Sequence, residues 1–534
     1  MDIALPVLGG LGLFLYGMNV MSTGLQKVAG TRLKKIIGAL TQNKFLGLLV
    51  GIAVTSIVQS SSATTVMVIG FVNAGMMTLI QATAVIMGAN IGTTITSQII
   101  AFNLTDYAPL AVVAGIILFL FTSKKKTKEL GEILIGVGIL FIGMDMMGSG
   151  LEPLAQLPAF ATIVTSLSNP FLGMLVGIGL TTVLQSSSAA TGLLQALAAQ
   201  GLIGMGVIFP ILLGENIGTT TTALLSSIGA NKTAKRAALI HLIFNLVGTL
   251  IFITVLRYPV EWLVKYLTPN NLSRQIANAH TFFNVINVAI QFPFAIYLVK
   301  LVERLVPGEE EGEKPSTIYL DERIIETPSI AIGQTNKEVL RMGNIVLDSL
   351  KVAHRALIDK EYGEVKKILE TEVLVNKIER EITDYVVKLS NAPISNEEHE
   401  EVNHLLYTIN DIERIGDHVE NMGELAQYMN EHDIVFSEDA VVGLKSMFSK
   451  CEKIVDLTMQ SFESKDFKMA REVVNLEEAI DVLEEKNRTG HIERLNQGLC
   501  STEPGIMFLD TLSNLERVAD HSVNIAGYIL ENFK

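Results

Sequence analysis

Cysteine is nearly absent: Cys451 and Cys500 are the only two in 534 residues. They build no disulfide framework and read most simply as free thiols in a reducing compartment. Charge is scarce in the first 306 residues, which hold 17 Lys and Arg against 9 Asp and Glu, a net of +8. The remaining 24 and 46 give the rest of the chain −22, so the overall −14 conceals two opposite halves. Nothing in that division suggests nucleic-acid binding. A basic leader before residues 3–25 is also missing, so that apolar run reads as a retained span and not a signal peptide. No nucleophile–base constellation or phosphate-cradling loop is evident, which argues against an enzyme.

The apolar half is duplicated. Gln59, Ser60, Ser61, Ser62, Ala63, Thr64 and Thr65 return as Gln185, Ser186, Ser187, Ser188, Ala189, Ala190 and Thr191, 126 residues on. Gly-X-Asn-Ile-Gly-Thr-Thr begins at Gly88 and again at Gly214, at the same offset. Gly17 and Met18 likewise match Gly143 and Met144. Apolar runs near 3–25, 108–122, 130–151, 237–256 and 278–299 are long enough, or nearly so, to span a bilayer. Others are short: Phe45 to Val58 reaches only ~21 Å as a helix, against a hydrocarbon core of ~30 Å. The pieces 63–74, 76–89 and 91–102, and their second-copy counterparts, read the same way. Such half-length pieces fit as re-entrant or broken helices facing protein or water.

Basic residues set an orientation. Lys27, Arg32, Lys34, Lys35 and Lys44 follow the first span, whereas 153–170 in the second copy has no Lys or Arg. Lys232, Lys235 and Arg236 stand where the first copy has no basic residue, with Leu104, Thr105 and Asp106 nearby. Opposite bias at equivalent loops predicts two copies inserted upside down relative to each other. Lys124, Lys125, Lys126, Lys128, Lys300, Arg304 and everything beyond then lie in the cytoplasm. The loop with Arg257, Lys265 and Arg274 falls outside and fits the rule poorly.

Inverted repeats bring their central polar motifs to the midplane, as in secondary transporters. Converging hydroxyls, amides and the N–H groups of helix starts, such as those of Ala63 and Thr64, suit a tetrahedral oxyanion. Asn90, Thr93, Thr94, Asn216, Thr219 and Thr220 add oxygens for a hard cation such as Na⁺. These motifs contain no Lys or Arg, so dipoles and a co-bound cation must neutralise the anion. An isolated Ser or Thr would more simply bond its own helix; repetition at a fixed offset favours a site. Glu215, a carboxylate in apolar surroundings whose counterpart is Ala89, is a candidate for cation or proton coupling. Asp145, opposite Asn19, suits a structural hydrogen bond. His241 with Asn245 and His280 with Asn284 form a His-X-X-Phe-Asn pair suited to helix packing.

The motifs QSSSATT, QSSSAAT, GANIGTT and GENIGTT resemble the type II sodium–phosphate cotransporter family over about residues 1–305. The resemblance implies sodium-driven phosphate movement, with Gln59–Ser62 and Gln185–Ser188 in the phosphate and sodium sites. The chemistry of the residues alone reaches only an oxyanion with a cation.

The acidic half is also duplicated: the run 410–418 around Glu413 and Asp417 parallels 513–521 around Glu516 and Asp520, 103 residues later. Each copy has room for three helices. Glu413 and Asp417, like Glu516 and Asp520, share a helix face and repel unless a cation separates them. Arg414 and Arg517 could serve as that cation; recurrence of the motif favours metal. This half resembles PhoU, the phosphate-signalling regulator, and the resemblance assigns Glu413, Asp417, Glu516 and Asp520 to a divalent or trivalent metal.

The expected fold is all-α: a polytopic membrane protein of two inverted-topology repeats with re-entrant or broken helices, plus a cytoplasmic pair of three-helix bundles. Residues 1–126 and 127–306 form the repeats, 307–335 a linker with three successive glutamates that allows movement, and 336–534 the regulator. The expected partners are inorganic phosphate, sodium and the lipid of the cell inner membrane, with room for a homo-oligomer. A membrane-anchored phosphate or metal sensor is the competing reading.

Overall fold

The computed structural model describes residues 3–38, 43–308, 316–392 and 394–531. The linker glutamates Glu309, Glu310 and Glu311 and the turn residue Pro393 lie outside the described residues, as do the side chains of Arg32, Lys34 and Lys35. Every regular element among the described residues is helical, and the chain divides into compact units Met1–Gly312 and Glu313–Lys534.

The first unit opens with α1 (Ala4–Gly38), α2 (Lys44–Val58), α3 (Ser61–Asn73), α4 (Leu79–Ile100) and α5 (Ala108–Leu120). The second copy follows as α6 (Lys125–Leu151), α7 (Pro158–Ser166), α8 (Pro170–Leu184), α9 (Ser187–Ala199), α10 (Met205–Gly218), α11 (Thr220–Ser226) and α12 (Lys232–Ile251). Then come α13 (Arg257–Leu267), α14 (Leu272–Gln291) and α15 (Ala295–Leu305). Helices α2 and α8, and α3 and α9, coincide end for end at the 126-residue offset, and so do their caps. Asn43 and Asn169 cap α2 and α8; Ser60 and Ser186 cap α3 and α9. Among the described residues, five helical rods are long and apolar enough to cross a membrane, or six if α7 and α8, bent by 106°, count as one.

Glycines decide how the rods meet. A Cβ on Gly10 would lie 2.7 Å from the Gly143 carbonyl, and one on Gly17 2.7 Å from that of Gly136. Because Gly10 corresponds to Gly136 and Gly17 to Gly143, α1 and α6 run antiparallel about a local twofold axis. Lys27 and Glu132 close the seam at 2.7 Å. Within each copy the hairpin contacts also repeat: Gly51 against Val85 and Gly177 against Ile211, Gly88 against Leu48 and Gly214 against Met174.

One expectation fails here. Residues 76–89 and 91–102 are not separate half-helices: α4 runs unbroken for 22 residues from a Thr78–Gln81 capping box. Gly88 is there for contact, since a Cβ would collide with the Leu48 carbonyl. Only the second copy breaks, at Thr219 between α10 and α11. Two of the three basic residues that fit the orientation rule poorly are engaged within the protein, while Lys265 is exposed. Arg257 pairs with Glu261 at 3.0 Å, and Arg274 bonds Gln98 and lies over Phe102.

The second unit comprises α16 (Pro328–Asp359), α17 (Val365–Ser390), α18 (Asn396–Glu431), α19 (Glu438–Ser464), α20 (Phe467–Asn496) and α21 (Thr502–Glu531). Helices α16–α18 pack together, as do α19–α21, and the two bundles meet through α18 with α21 and α16 with α19. Residues 316–327, expected as free linker, instead belong to this unit. The fully buried Glu338 accepts the amides of Ile318 and Tyr319 at 2.8 and 2.6 Å, and Glu381 accepts the Thr317 hydroxyl at 2.8 Å. Buried carboxylates with several donors hold an arm firmly.

Candidate functional site

Each Gln-Ser-Ser-Ser element is a turn between two short helices. Gln59 and Gln185 close α2 and α8 in the left-handed conformation, at φ 57° and 54°. Non-glycine residues rarely adopt it unless the surroundings impose it. Both side chains are fixed alike. The Gln59 amide donates to the Ser56 carbonyl, and its Oε1 accepts from Thr96 at 2.7 Å. The Gln185 amide donates to Thr182, and its Oε1 accepts from Thr222 at 2.8 Å. Thr96 and Thr222, 126 residues apart, are site residues that sequence reasoning missed; their recurrence was the available signal.

The Ser60 hydroxyl accepts the Ala63 amide at 3.1 Å, and Ser186 does so for Ala189 at 3.2 Å. The amide of Thr64 goes to the Ser60 carbonyl. The Ala63 and Thr64 amides are therefore spent, which corrects their nomination as free donors. The unspent groups lie earlier, in the first turn, where a helix leaves N–H groups free. They belong to Ser61 and Ser62, and to Ser187 and Ser188, whose hydroxyls also make no bond among the described residues.

The second motif supplies acceptors. Asn90 and Asn216 donate their amides to Ile86 and Leu212, leaving each Oδ1 without a donor among the described residues. Thr93 and Thr94 donate to carbonyls of α4, and Thr219 and Thr220 donate back across the break to the α10 carbonyls of Glu215 and Ile217, so each hydroxyl keeps acceptor capacity. All six are buried. In the first copy the helix carrying Asn-Ile-Gly-Thr-Thr, α4, packs on the other copy's Ser-Ser-Ser helix α9; in the second copy α11, which begins at the motif's last residue Thr220, packs on α3.

The symmetry breaks at three places. Thr191 donates to Glu215 at 2.7 Å, but its counterpart Thr65 is buried without a partner because Ala89 replaces the glutamate. Thr55 donates to Thr64 at 3.0 Å, yet Thr181 lacks a partner because Ala190 replaces that threonine. Glu215, 1 % exposed, keeps Oε1 unbonded. The His-X-X-Phe-Asn pair shows the same pattern. Helices α12 and α14 cross where a Cβ on Gly248 would touch Asn287, and Gln291 donates to the Phe244 carbonyl on one side while Phe252 meets Phe283 on the other. His280 bonds Ser97 at 2.9 Å, whereas His241 leaves both ring nitrogens unpartnered, Ala223 standing where Ser97 would be. Asp145 is exposed, which does not suit the structural hydrogen bond expected of it.

In the second unit, Arg414 lies 3.2 Å from Asp417 and 3.7 Å from Glu413, and Arg517 lies 3.2 Å from Asp520 and 3.8 Å from Glu516. Burial, then the neighbouring aspartate, raises both glutamates above the ordinary carboxylate range. Three carboxylates do converge in the second copy: oxygens of Glu477, Asp481 and Asp520 lie within 4.8 Å of one another. Burial, then carboxylate neighbours, raises Glu477 and Asp481. Of the four residues expected as metal ligands only Asp520 joins that cluster; Glu477 and Asp481, on α20, were missed. In the first copy Glu372 and Asn376, on α17, repeat the four-residue spacing of Glu477 and Asp481, and Asn376 donates to Glu372 instead of adding a charge.

Comparison with known proteins follows these halves. Residues 13–149 and 140–265 match the family described as Na⁺/Pi-cotransporter, and residues 339–426 and 444–529 match the PhoU domain. A protein of Salmonella typhimurium named for inorganic phosphate export, YjbB, is 27 % identical over 533 residues, covering 99 % of this chain and 97 % of that one. The Bacillus subtilis protein YqeW, named as uncharacterized, is 30 % identical over 297 residues, 55 % of this chain and 96 % of its own length. The rat sodium-dependent phosphate transport protein 2C is 45 % identical over 96 residues, 17 % and 16 % of the two chains.

Proposed function

We propose that this chain, which belongs to the Na⁺/Pi-cotransporter family and carries a PhoU domain, moves inorganic phosphate across a membrane with sodium as the coupling ion. The observation that carries the reading is the doubled set of unspent donors and acceptors on twofold-related helices. Ser61, Ser62, Ser187 and Ser188 present hydroxyls and first-turn amides to the anion, as helix starts do for phosphate. Asn90, Asn216 and the threonines Thr93, Thr94, Thr219 and Thr220 offer oxygens to the cation. Gln59 and Gln185 hold the turns in place. Glu215 adds one negative charge to the second copy and acts in cation coupling.

The second unit acts as a regulator in the cytoplasm, beneath the inner membrane. Its cluster of Glu477, Asp481 and Asp520 fits a hard di- or trivalent ion, since three carboxylate oxygens converge there. Glu516, held near Arg517, is an outer member of that cluster. Glu413 and Asp417 bind more weakly, with Asn376 in place of a carboxylate. The names of relatives point both to sodium-dependent transport and to export, and a carrier of this kind runs in the direction its gradients set.

Purified protein in liposomes should accumulate labelled phosphate when an inward sodium gradient is imposed, and not with potassium in its place. Phosphate binding without any flux under either gradient would support the sensor reading instead.

A further inference from the structure

The two Gln-Ser-Ser-Ser turns coincide in backbone but not in cover. In the first copy Gln59 is 5 % exposed. In the second Gln185 is exposed, and Val183 beside it is 81 % exposed where its counterpart Ile57 is half-buried. The difference begins at α1. The Ser22 hydroxyl donates to the Val58 carbonyl at 2.6 Å, and Gln26 donates to the Ser22 hydroxyl at 3.0 Å. That carbonyl ends α2, where a helix leaves acceptors without partners. One repeat on, Ser22 becomes Gly148 and Gln26 becomes Glu152. Gly148 has no side chain to donate, and a Cβ there would meet Gln200, at the end of α9, at 2.9 Å. Helix α1 also continues to Gly38 and packs on α2, whereas α6 stops at Leu151, before Pro153. The Leu184 carbonyl, which ends α8, has no donor among the described residues.

An acceptor without a partner is costly in hydrocarbon, and so is an exposed amide side chain. Water therefore reaches the second turn, while α1 seals the first. A carrier built of inverted repeats opens its site to one face at a time, and two like turns in unlike states are what such a cycle requires. We propose that Ser22, supported by Gln26, is the latch that holds the first turn closed. In the opposite state its bond to Val58 opens, water reaches Gln59, and the second turn becomes covered. Because one copy alone has the latch, the resting protein is biased toward the state with the second turn open. The latch presupposes the carrier reading and adds to it the residue that sets the resting state.

The test uses the full-length protein in liposomes without sodium or phosphate, with Cys500→Ser to remove the accessible thiol and Cys451 left buried. Ile57→Cys and Val183→Cys put one reporter at the same position of each copy. A charged, water-soluble thiosulfonate is supplied on both sides of the membrane. Val183→Cys should react quickly and Ile57→Cys slowly. Adding Ser22→Ala should speed the reaction at Ile57→Cys by about ten-fold, as loss of one buried hydrogen bond would. It should slow the reaction at Val183→Cys, whereas loosened packing would speed both. Ser22→Thr, which keeps the hydroxyl, should restore both rates. A Val183→Cys reporter that does not react would place lipid or protein at the second turn and overturn the proposal. So would a Ser22→Ala change that leaves the Ile57→Cys rate unmoved or raises both rates. Failure of sodium-driven uptake by the unmodified protein would remove the carrier reading by itself, and the labelling rates would still decide whether Ser22 closes the first turn.

Discussion

At the scale of single residues, the informative positions are those where the two copies disagree. The left-handed glutamines agree: each makes two bonds with partners one repeat apart. Gln59→Ala and Gln185→Ala should each abolish sodium-dependent phosphate uptake into liposomes while the purified protein stays folded. Each change leaves two polar groups short, at about 1–3 kcal/mol apiece; normal uptake by both variants would remove them from the site. Glu215→Gln keeps the bond to Thr191 but removes the charge. Uptake should fall by about ten-fold, the equivalent of 1.4 kcal/mol, with its sodium dependence weakened. The motifs and their offset were legible because repetition is visible in letters. The spent amides of Ala63 and Thr64 were not, because only the geometry of the Ser60 cap shows which donors remain. Nor were the orphans Thr65, Thr181 and His241, which exist only through what Ala89, Ala190 and Ala223 fail to supply across space.

Between elements, small residues and like charges set the terms. Gly17 and Gly136 bring α1 and α6 to backbone contact, with Cβ positions that would collide with the Leu140 and Met21 amides. Gly17→Ala and Gly136→Ala should therefore each destabilise the membrane unit by about 1–3 kcal/mol, the usual cost of overpacking, read as a lower melting temperature in detergent. Unchanged melting would mean the seam is looser than drawn. The reading of 76–102 as two short pieces erred for the same reason: Gly88 and Gly92 resemble breakers in sequence, but their missing side chains make room for α2. In the other unit, Glu516 titrates above its ordinary value of 4.5 when folded. The folded state thus binds that proton more tightly, and the associated stability is present at low pH and lost as pH rises through the raised value. In chelator, Glu516→Gln should raise the melting temperature at pH 8 by about 1–2 °C, on the order of 0.5 kcal/mol, and by less at pH 4.5. A shift of equal size at both would detach the effect from ionisation.

On the scale of the whole molecule, composition alone marks the division, since a chain with halves of +8 and −22 is built for two solvents. What composition could not place was the border, because residues 316–327 look like linker and are held instead by Glu338 and Glu381. The near side is fixed too: Arg236 donates to the carbonyls of Val306 and Gly308, so a clean separation must fall beyond Gly308. A chain ending at residue 315 keeps those bonds and every helix that carries the duplicated motifs. It should insert, fold and bind phosphate in sodium. A ligand at a hundred times its dissociation constant stabilises the state it binds by about 2.7 kcal/mol. Phosphate in sodium should therefore raise the melting temperature of the truncated protein, and phosphate in potassium should not. Sulfate, tetrahedral but not the proposed substrate, serves as the control. A truncated protein that melts cooperatively yet shows no sodium-dependent response to phosphate would mean that the membrane unit is not a self-sufficient binding core.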